Sequence, residues 1–418
     1  MKKRALILVF IISLILSVSG QIRVETVDYL SYIHRDSLKR TMQDLENFTT
    51  RYALSGNKHV AEYIKQRLVN YGVSNAIIDS FYIEREVWFD NQGIFSGFCY
   101  NVRGSITGTQ NPDSIVIIGA HLDAVNLTTI HDDNDFRLQY LLNKDLSPGA
   151  DDNASGVAIM IEMARIIHQY NLKPQNRIDL LAFDAEEIGL LGSAYDAERR
   201  VTEKDNVIIM INNDMVSYQP IDTNYIINIH WYDNAIAEAF HAYRISQEYS
   251  TIITPFIPFG YANYRRSASD SWAYAQRGFK AVFFIEHFFN PYYHTQYDLC
   301  ENANFEYIEE VGKINFALLN YYAKFDKHTI DVEIVKNREH FYIYPNPVQQ
   351  TASVAIPSSM YNALHILQIF DAYGRLCYQT TLTQQRTPID FSEFTSGLYM
   401  VQIIAPDGSS HSKKILKK

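Results

Sequence analysis

Six side chains able to hold a metal ion or move a proton stand at or near the ends of apolar runs or beside a helix start: His121, Asp152, Glu186, Glu187, Asp214 and His294. Imidazoles and carboxylates without a thiolate make the donor set of a catalytic zinc site, and a carboxylate left over can bridge two ions. Two neighbouring ions would hold one water between them, lower its pKa and polarise a carbonyl oxygen, so amide hydrolysis is the natural reaction. Glu186 and Glu187 leave one backbone in different directions, so one can bind metal while the other faces the water. The alternative is an exposed glutamate pair opening a helix, where acids suit the positive end of the dipole. Asp123 follows His121 by two residues, on the same side of a strand, and can orient the imidazole. Taken alone, a His-x-Asp is more often structural.

These residues need elements to deliver them. Ser114 to Ala120, Arg177 to Asp184, Val207 to Met215 and Lys280 to Glu286 read as strands, and Ser114 to Ala120 is the continuous apolar run that a doubly covered strand requires. Between the first two strands, Ser147 to Gly156 supplies turn residues and the Asp151-Asp152-Asn153 triplet, and Val157 to Tyr170 repeats apolar residues at helical spacing. Helices are expected over Ser37 to Gly72, Asn234 to Glu248 and Phe305 to Phe325, and further strands at Ile77 to Val87, Cys99 to Gly104 and Tyr225 to His230. Asn126 to Asp145 reads as a polar insertion, a solvated loop or the rim of a site. The fold class is α/β, a mixed central sheet covered by helices on both faces, with the candidates where open sheets bind ligands.

The 418 residues, 47% of them hydrophobic, suffice for two domains, and a net charge of -10 argues against a nucleic-acid partner. Residues 1–20 have a basic start, an apolar run and small residues suited to cleavage; the run is short of the about 20 residues of a membrane span, so a secretory signal peptide is expected and no stable span after its removal. Cys99, Cys300 and Cys377 are too few for a disulfide scaffold, although one pair, Cys99 with Cys300, is conceivable. After a catalytic unit at 21–327 and a charged linker at 328–340, residues 341–418 alternate in short strands separated by turn signals, the pattern of a small all-β sandwich.

Five motifs together carry a resemblance over about residues 40 to 325: His121-Leu122-Asp123, Pro148 to Gly156, Ala185 to Leu190, Asn213-Asp214-Met215, and His294-Thr295 with Asp298. They resemble metallopeptidase family twenty-eight, the secreted di-zinc aminopeptidases. The resemblance implies that Asp152 bridges two zinc ions, that His121 and Asp214 complete one site and Glu187 and His294 the other, and that Glu186 is the general base. It also implies a cis peptide after Asp152 and an oxyanion role for Tyr261, which could equally be a packing aromatic. Two departures stand out: Ser269-Asp270-Ser271 lacks the family's histidine, and Tyr264-Arg265-Arg266 looks inserted. Alternatives are a single-zinc glutaminyl cyclase, which shares the fold, and a non-catalytic surface binding protein. Tyr344-Pro345-Asn346-Pro347, Asp371 to Arg375, Ser396 to Tyr399 and the basic end Lys413 to Lys418 are similar to the sorting domain of the type IX secretion system. That implies passage through the periplasm, contact with the secretion machinery, and a secreted or cell-surface protein acting on peptides or proteins.

Overall fold

The computed structural model describes residues 30–86, 94–132, 135–220, 223–250, 252–325, 341–356, 365–372, 374–384, 386–404 and 410–418. The signal peptide and the linker expected from the sequence lie outside these residues. The described chain divides into two compact units, one ending at residue 325 and one beginning at residue 341.

The first unit opens with helices α1 (Arg35–Glu46) and α2 (Lys58–Asn70). Then come strands β1 (Ile77–Glu86), β2 (Ile94–Ile106) and β3 (Asn111–His121), and a hairpin of β4 (Leu127–Asp132) and β5 (Asp135–Leu142). Helix α3 (Gly156–Gln169), β6 (Asn176–Phe183), α4 (Leu191–Glu203) and β7 (Asn206–Asn213) follow. The rest is β8 (Tyr225–Trp231), α5 (Ile236–Tyr249), β9 (Ile253–Phe256), α6 (Ser271–Gln276), β10 (Ala281–Glu286) and α7 (Phe305–Ala323). One expectation is corrected and one alternative is excluded. The insertion at Asn126 to Asp145 is not merely a loop: it pairs with itself as the β4–β5 hairpin. The glutamate pair does not open a helix, because α4 starts only at Leu191, after a turn closed by Gly189 and Leu190 amides on the Glu186 carbonyl.

The eight-stranded sheet runs β1-β2-β6-β3-β7-β10-β8-β9. Its centre, β6-β3-β7-β10, is parallel, so four strands end at the same edge. Ile115 and Ile117 of β3 pack with Leu181, Phe183, Met210, Ala197 of α4 and Tyr274 of α6. The alternate residues Val116 and Ile118 are fully buried toward the opposite face, where α3 and α7 meet β3. Each such side chain contributes about 1.5–3 kcal/mol, which is why β3 reads as an unbroken apolar run rather than an alternating one. Gly156 lets α3 start against the strand ends, since a Cβ there would collide with the Asn213 carbonyl. Cys99 and Cys300 are both buried free thiols, so the conceivable pairing is not made.

The second unit has β11 (Tyr342–Tyr344), β12 (Thr351–Ala355), β13 (His365–Phe370), β14 (Leu376–Leu382), β15 (Arg386–Asp390), β16 (Gly397–Ile404) and β17 (Ser410–Lys417). They form antiparallel sheets β11-β12-β15 and β14-β13-β16-β17, a β-sandwich. The basic end is strand β17 rather than a solvated tail, and its Ile415 is fully buried among Leu367, Ile369, Val401 and Ile403. Ile415→Ala is expected to destabilise this unit by about 2–5 kcal/mol, the cost of a core isoleucine. A urea melt of the isolated 341–418 fragment against its wild type checks this, and a shift below about 1 kcal/mol would return β17 to the status of an ornament.

Candidate metal centre

All the candidates fall at the carboxyl edge of the four parallel strands. His121 ends β3, Asp214 follows β7 by one residue, and Glu186 and Glu187 follow β6 by three and four. His294 lies in the loop after β10, and Asp152 in the turn before α3. His294 itself and two residues beside the candidates, Ala185 and Met215, hold left-handed backbone angles without being glycine. Such conformations cost about 1–3 kcal/mol each and persist only where the surroundings over-determine them.

The side chains converge into two clusters that share Asp152: His121, Asp152 and Asp214, and Asp152, Glu187 and His294. His121 Nε2 is 3.1 Å from Asp152 Oδ1 and 3.2 Å from Asp214 Oδ1. His294 Nε2 is 3.2 Å from Asp152 Oδ2 and 2.9 Å from Glu187 Oε2. Asp152 thus turns one oxygen to each cluster. Glu186 belongs to neither, yet it is buried beside both. Although close to two carboxylates, His294 Nε2 makes no hydrogen bond of acceptable geometry, and Glu187 Oε1 is likewise buried without a partner. Two buried polar atoms left without a hydrogen-bond partner in a cluster of imidazoles and carboxylates fit a site for divalent ions of the oxygen- and nitrogen-binding kind.

The supports are as specific as the ligands. Asp123 takes two roles: its carbonyl oxygen lies 3.1 Å from His121 Nδ1, and its carboxylate accepts the amides of Glu186 at 3.1 Å and Glu187 at 3.2 Å. The orienting contact expected between the Asp123 carboxylate and His121 is a longer 3.5 Å. Asp298 accepts both amides of the acid pair, Asp151 and Asp152, at 3.0 Å each. Asp151 points away from the clusters to Ser217 and Asn290. Beneath lies Arg51, fully buried, which donates to the carbonyls of Leu122, Pro148 and Gly149 and so ties the His121 and Asp152 loops together. The peptide after Asp152 is cis. Sequence reasoning missed Arg51, and it named Asp151, Asp270 and Asp298 only as members of motifs, without a role. Tyr261 lies in the turn Gly260–Ser267, and its side chain falls outside those described.

Burial and crowded negative charge set the protonation. Burial, then the charges of Glu187, Asp214 and Asp270, push the Glu186 carboxyl well above its ordinary range, against the pull of His121. Burial lifts Glu187 to about 7, reinforced by Asp152 and opposed by His294. Burial favours a neutral His294, but Glu187 and Asp152 outweigh it and lift the ring to about 10. Burial also pushes Asp152 upward, and His121 and His294 overcome it to hold that carboxyl below its ordinary range. Asp270, whose oxygens find no hydrogen bond of acceptable geometry, is raised to about 7 by burial and then by Asp214 and Asp123.

A metal ligand must be a neutral imidazole or an ionised carboxylate, whereas in the metal-free chain His294 keeps its proton up to about pH 10 and Glu187 keeps its own below about 7. Metal uptake therefore displaces protons, and affinity rises with pH. Zinc titrations at pH 6 and pH 8 are expected to give the tighter binding at pH 8, with protons released to the buffer. Equal affinity with no proton release would mean that His294 is not a ligand.

A helix-covered mixed sheet whose parallel strands bring imidazoles and carboxylates to one edge is the architecture of metal-dependent exopeptidases. The chain belongs to peptidase family M28, whose family model matches residues 101–319, while residues 342–418 match a secretion system C-terminal sorting domain. A probable aminopeptidase of Saccharomyces cerevisiae is 28% identical over 297 residues, 69% of this chain and 72% of its own. Among solved structures, a zinc aminopeptidase from Bacillus subtilis superposes with a TM-score of 0.56 at 16% identity, over 72% of this chain and 97% of its own. A Bacteroides thetaiotaomicron glutaminyl cyclase superposes with 0.51 at 20%, over 68% and 97%. No helix among the described residues is long and apolar enough to cross a membrane.

Proposed function

We propose that the protein is an exported aminopeptidase with two zinc ions per chain, which removes N-terminal residues from peptides. The observation that carries this reading is the sharing of Asp152 by two complete clusters, with Glu186 left over beside them. His121, Asp152 and Asp214 would hold one ion, and Asp152, Glu187 and His294 the other. The ions supply Lewis acidity, acidifying a water and polarising the scissile carbonyl. Glu186 takes the proton of the attacking water on a carboxylate oxygen and delivers it to the nitrogen of the leaving amine. Burial and the neighbouring carboxylates raise its pKa, the direction that makes a carboxylate a better acceptor of the water's proton. Asp123 holds the Glu186 and Glu187 amides so that the two carboxylates diverge in fixed directions. Tyr261, by family resemblance, steadies the oxyanion of the tetrahedral intermediate.

The same fold supports a single-zinc cyclase, but a cyclase has no use for the second cluster, and a binding module has no use for a free buried glutamate. Type IX export would follow from the sorting domain, with entry to the periplasm directed by residues 1–20, transit across the outer membrane, and release of residues 341–418 at the surface. The test is product analysis by mass spectrometry on three peptides: one with a free N-terminal leucine, its acetylated counterpart and one beginning with glutamine. Release of leucine from the first alone supports the proposal. Loss of ammonia from the third without hydrolysis of the first would establish the cyclase, and inertness toward all three a binding protein.

A further inference from the structure

The turn Gly260–Ser267 carries Tyr264, Arg265 and Arg266. Arg266 is neutralised by Asp233 at 2.9 Å. Arg265 is different: among the described residues no carboxylate lies within ion-pair distance of it, and its Nε donates to the Tyr264 hydroxyl at 3.0 Å. Its guanidinium lies over the ring of Phe289, 4.7 Å from the centroid. That ring meets Tyr293 edge-on at 4.7 Å, and Tyr293 stacks on His294 at 3.5 Å. Three ring contacts thus lead from a guanidinium with no carboxylate partner among the described residues to a candidate metal ligand. The ladder limits the separation to no more than about 13 Å, the span of three to four residues of extended peptide.

Five residues on from Arg265, the fully buried Asp270 precedes α6. The cation also reaches inward: after burial, Arg265 helps to keep His230 and His287 neutral. Phe289 itself is 44% exposed, so the guanidinium rests on an open aromatic surface rather than in the core.

Resting on the aminopeptidase reading, we propose that Arg265 is a carboxylate-recognition point for the substrate beside the metal centre. A peptide anchored by its amino end among the carboxylates of the metal centre lays a carboxylate against Arg265 within its next few residues. That group is either the C-terminus of a di- or tripeptide or an acidic side chain in the same reach. Guanidinium suits this task because its planar fork donates two parallel hydrogen bonds to a carboxylate, while its face keeps the contact with Phe289.

The test compares kcat/KM of the zinc-loaded full chain on leucyl-glycyl-glycine, its C-terminal amide and leucyl-aspartyl-glycine amide. The free acid or the aspartyl peptide is expected to exceed the neutral amide by about tenfold, chiefly through KM, as one charge-assisted hydrogen bond would give. Preference for the free acid identifies the C-terminus as the partner, and preference for the aspartyl peptide the side chain. In Arg265→Gln the ratio should collapse toward one, with partial recovery in Arg265→Lys, which keeps the charge if the glutamine variant folds poorly. Calorimetry of leucyl-glycyl-glycine binding to Glu186→Gln, with and without Arg265→Gln, should show the same tenfold loss without turnover. Equal rates on all three peptides, or an unchanged ratio in Arg265→Gln, would overturn the inference and leave the aminopeptidase standing. Failure of the wild type to cleave any of them would overturn both.

Discussion

Glu186→Gln is expected to lower kcat on leucyl arylamides by about 10³, within the range of 10²–10⁴ assigned to a positioned general acid-base, while zinc content stays at the wild-type value. The substitution keeps the shape and removes the charge of a side chain that belongs to neither cluster. Because Glu186 is buried against Glu187 and Asp214, the neutral amide relieves repulsion, and the melting temperature should rise rather than fall. The pairing of lost turnover with retained metal and higher stability separates a proton carrier from a ligand. Elemental analysis, arylamide kinetics and a thermal melt on one preparation check all three, and loss of an ion in this variant would instead make Glu186 a ligand.

Asp152→Asn is expected to disable both ions at once. One oxygen faces His121 and the other His294, so an amide leaves each cluster one anionic donor short. Breaking a buried charge pair costs about 3–5 kcal/mol, so affinity at each site should fall by roughly 10³. Asp214→Asn, which touches only the His121 cluster, should weaken one ion and spare the other. Competition with a chelator of known affinity resolves the two variants. Equal behaviour of Asp152→Asn and Asp214→Asn would remove Asp152 from the shared position.

The residues that were legible in the sequence share a physical reason. His121, Asp214 and the glutamate pair follow strands so apolar that a charge at their ends had to face something other than the core, and the parallel centre of the sheet put those ends on one edge. The supports were illegible because they act across the chain. Asp298 reaches amides 146 and 147 residues away, and Arg51 binds carbonyls 71 to 98 residues away, so the sequence shows neither one's partners. The β4–β5 hairpin was hidden by its polar composition, and β9, four residues long, by its length. In the second unit, β17 was masked by its lysines, which lie on a strand whose Ile415, among the described side chains, is the one that reaches the core. Tyr264-Arg265-Arg266 was legible only as an interruption. The ring ladder from Arg265 to His294 joins that interruption to a candidate metal ligand.

The most direct measurement is stepwise reloading of the metal-free chain with zinc, following bound metal by elemental analysis and leucyl arylamide hydrolysis in the same samples. Two ions per chain, with full activity reached only at the second equivalent, is the predicted result. Saturation at one ion, with cyclisation of glutaminyl peptides and no arylamide hydrolysis, would contradict the account.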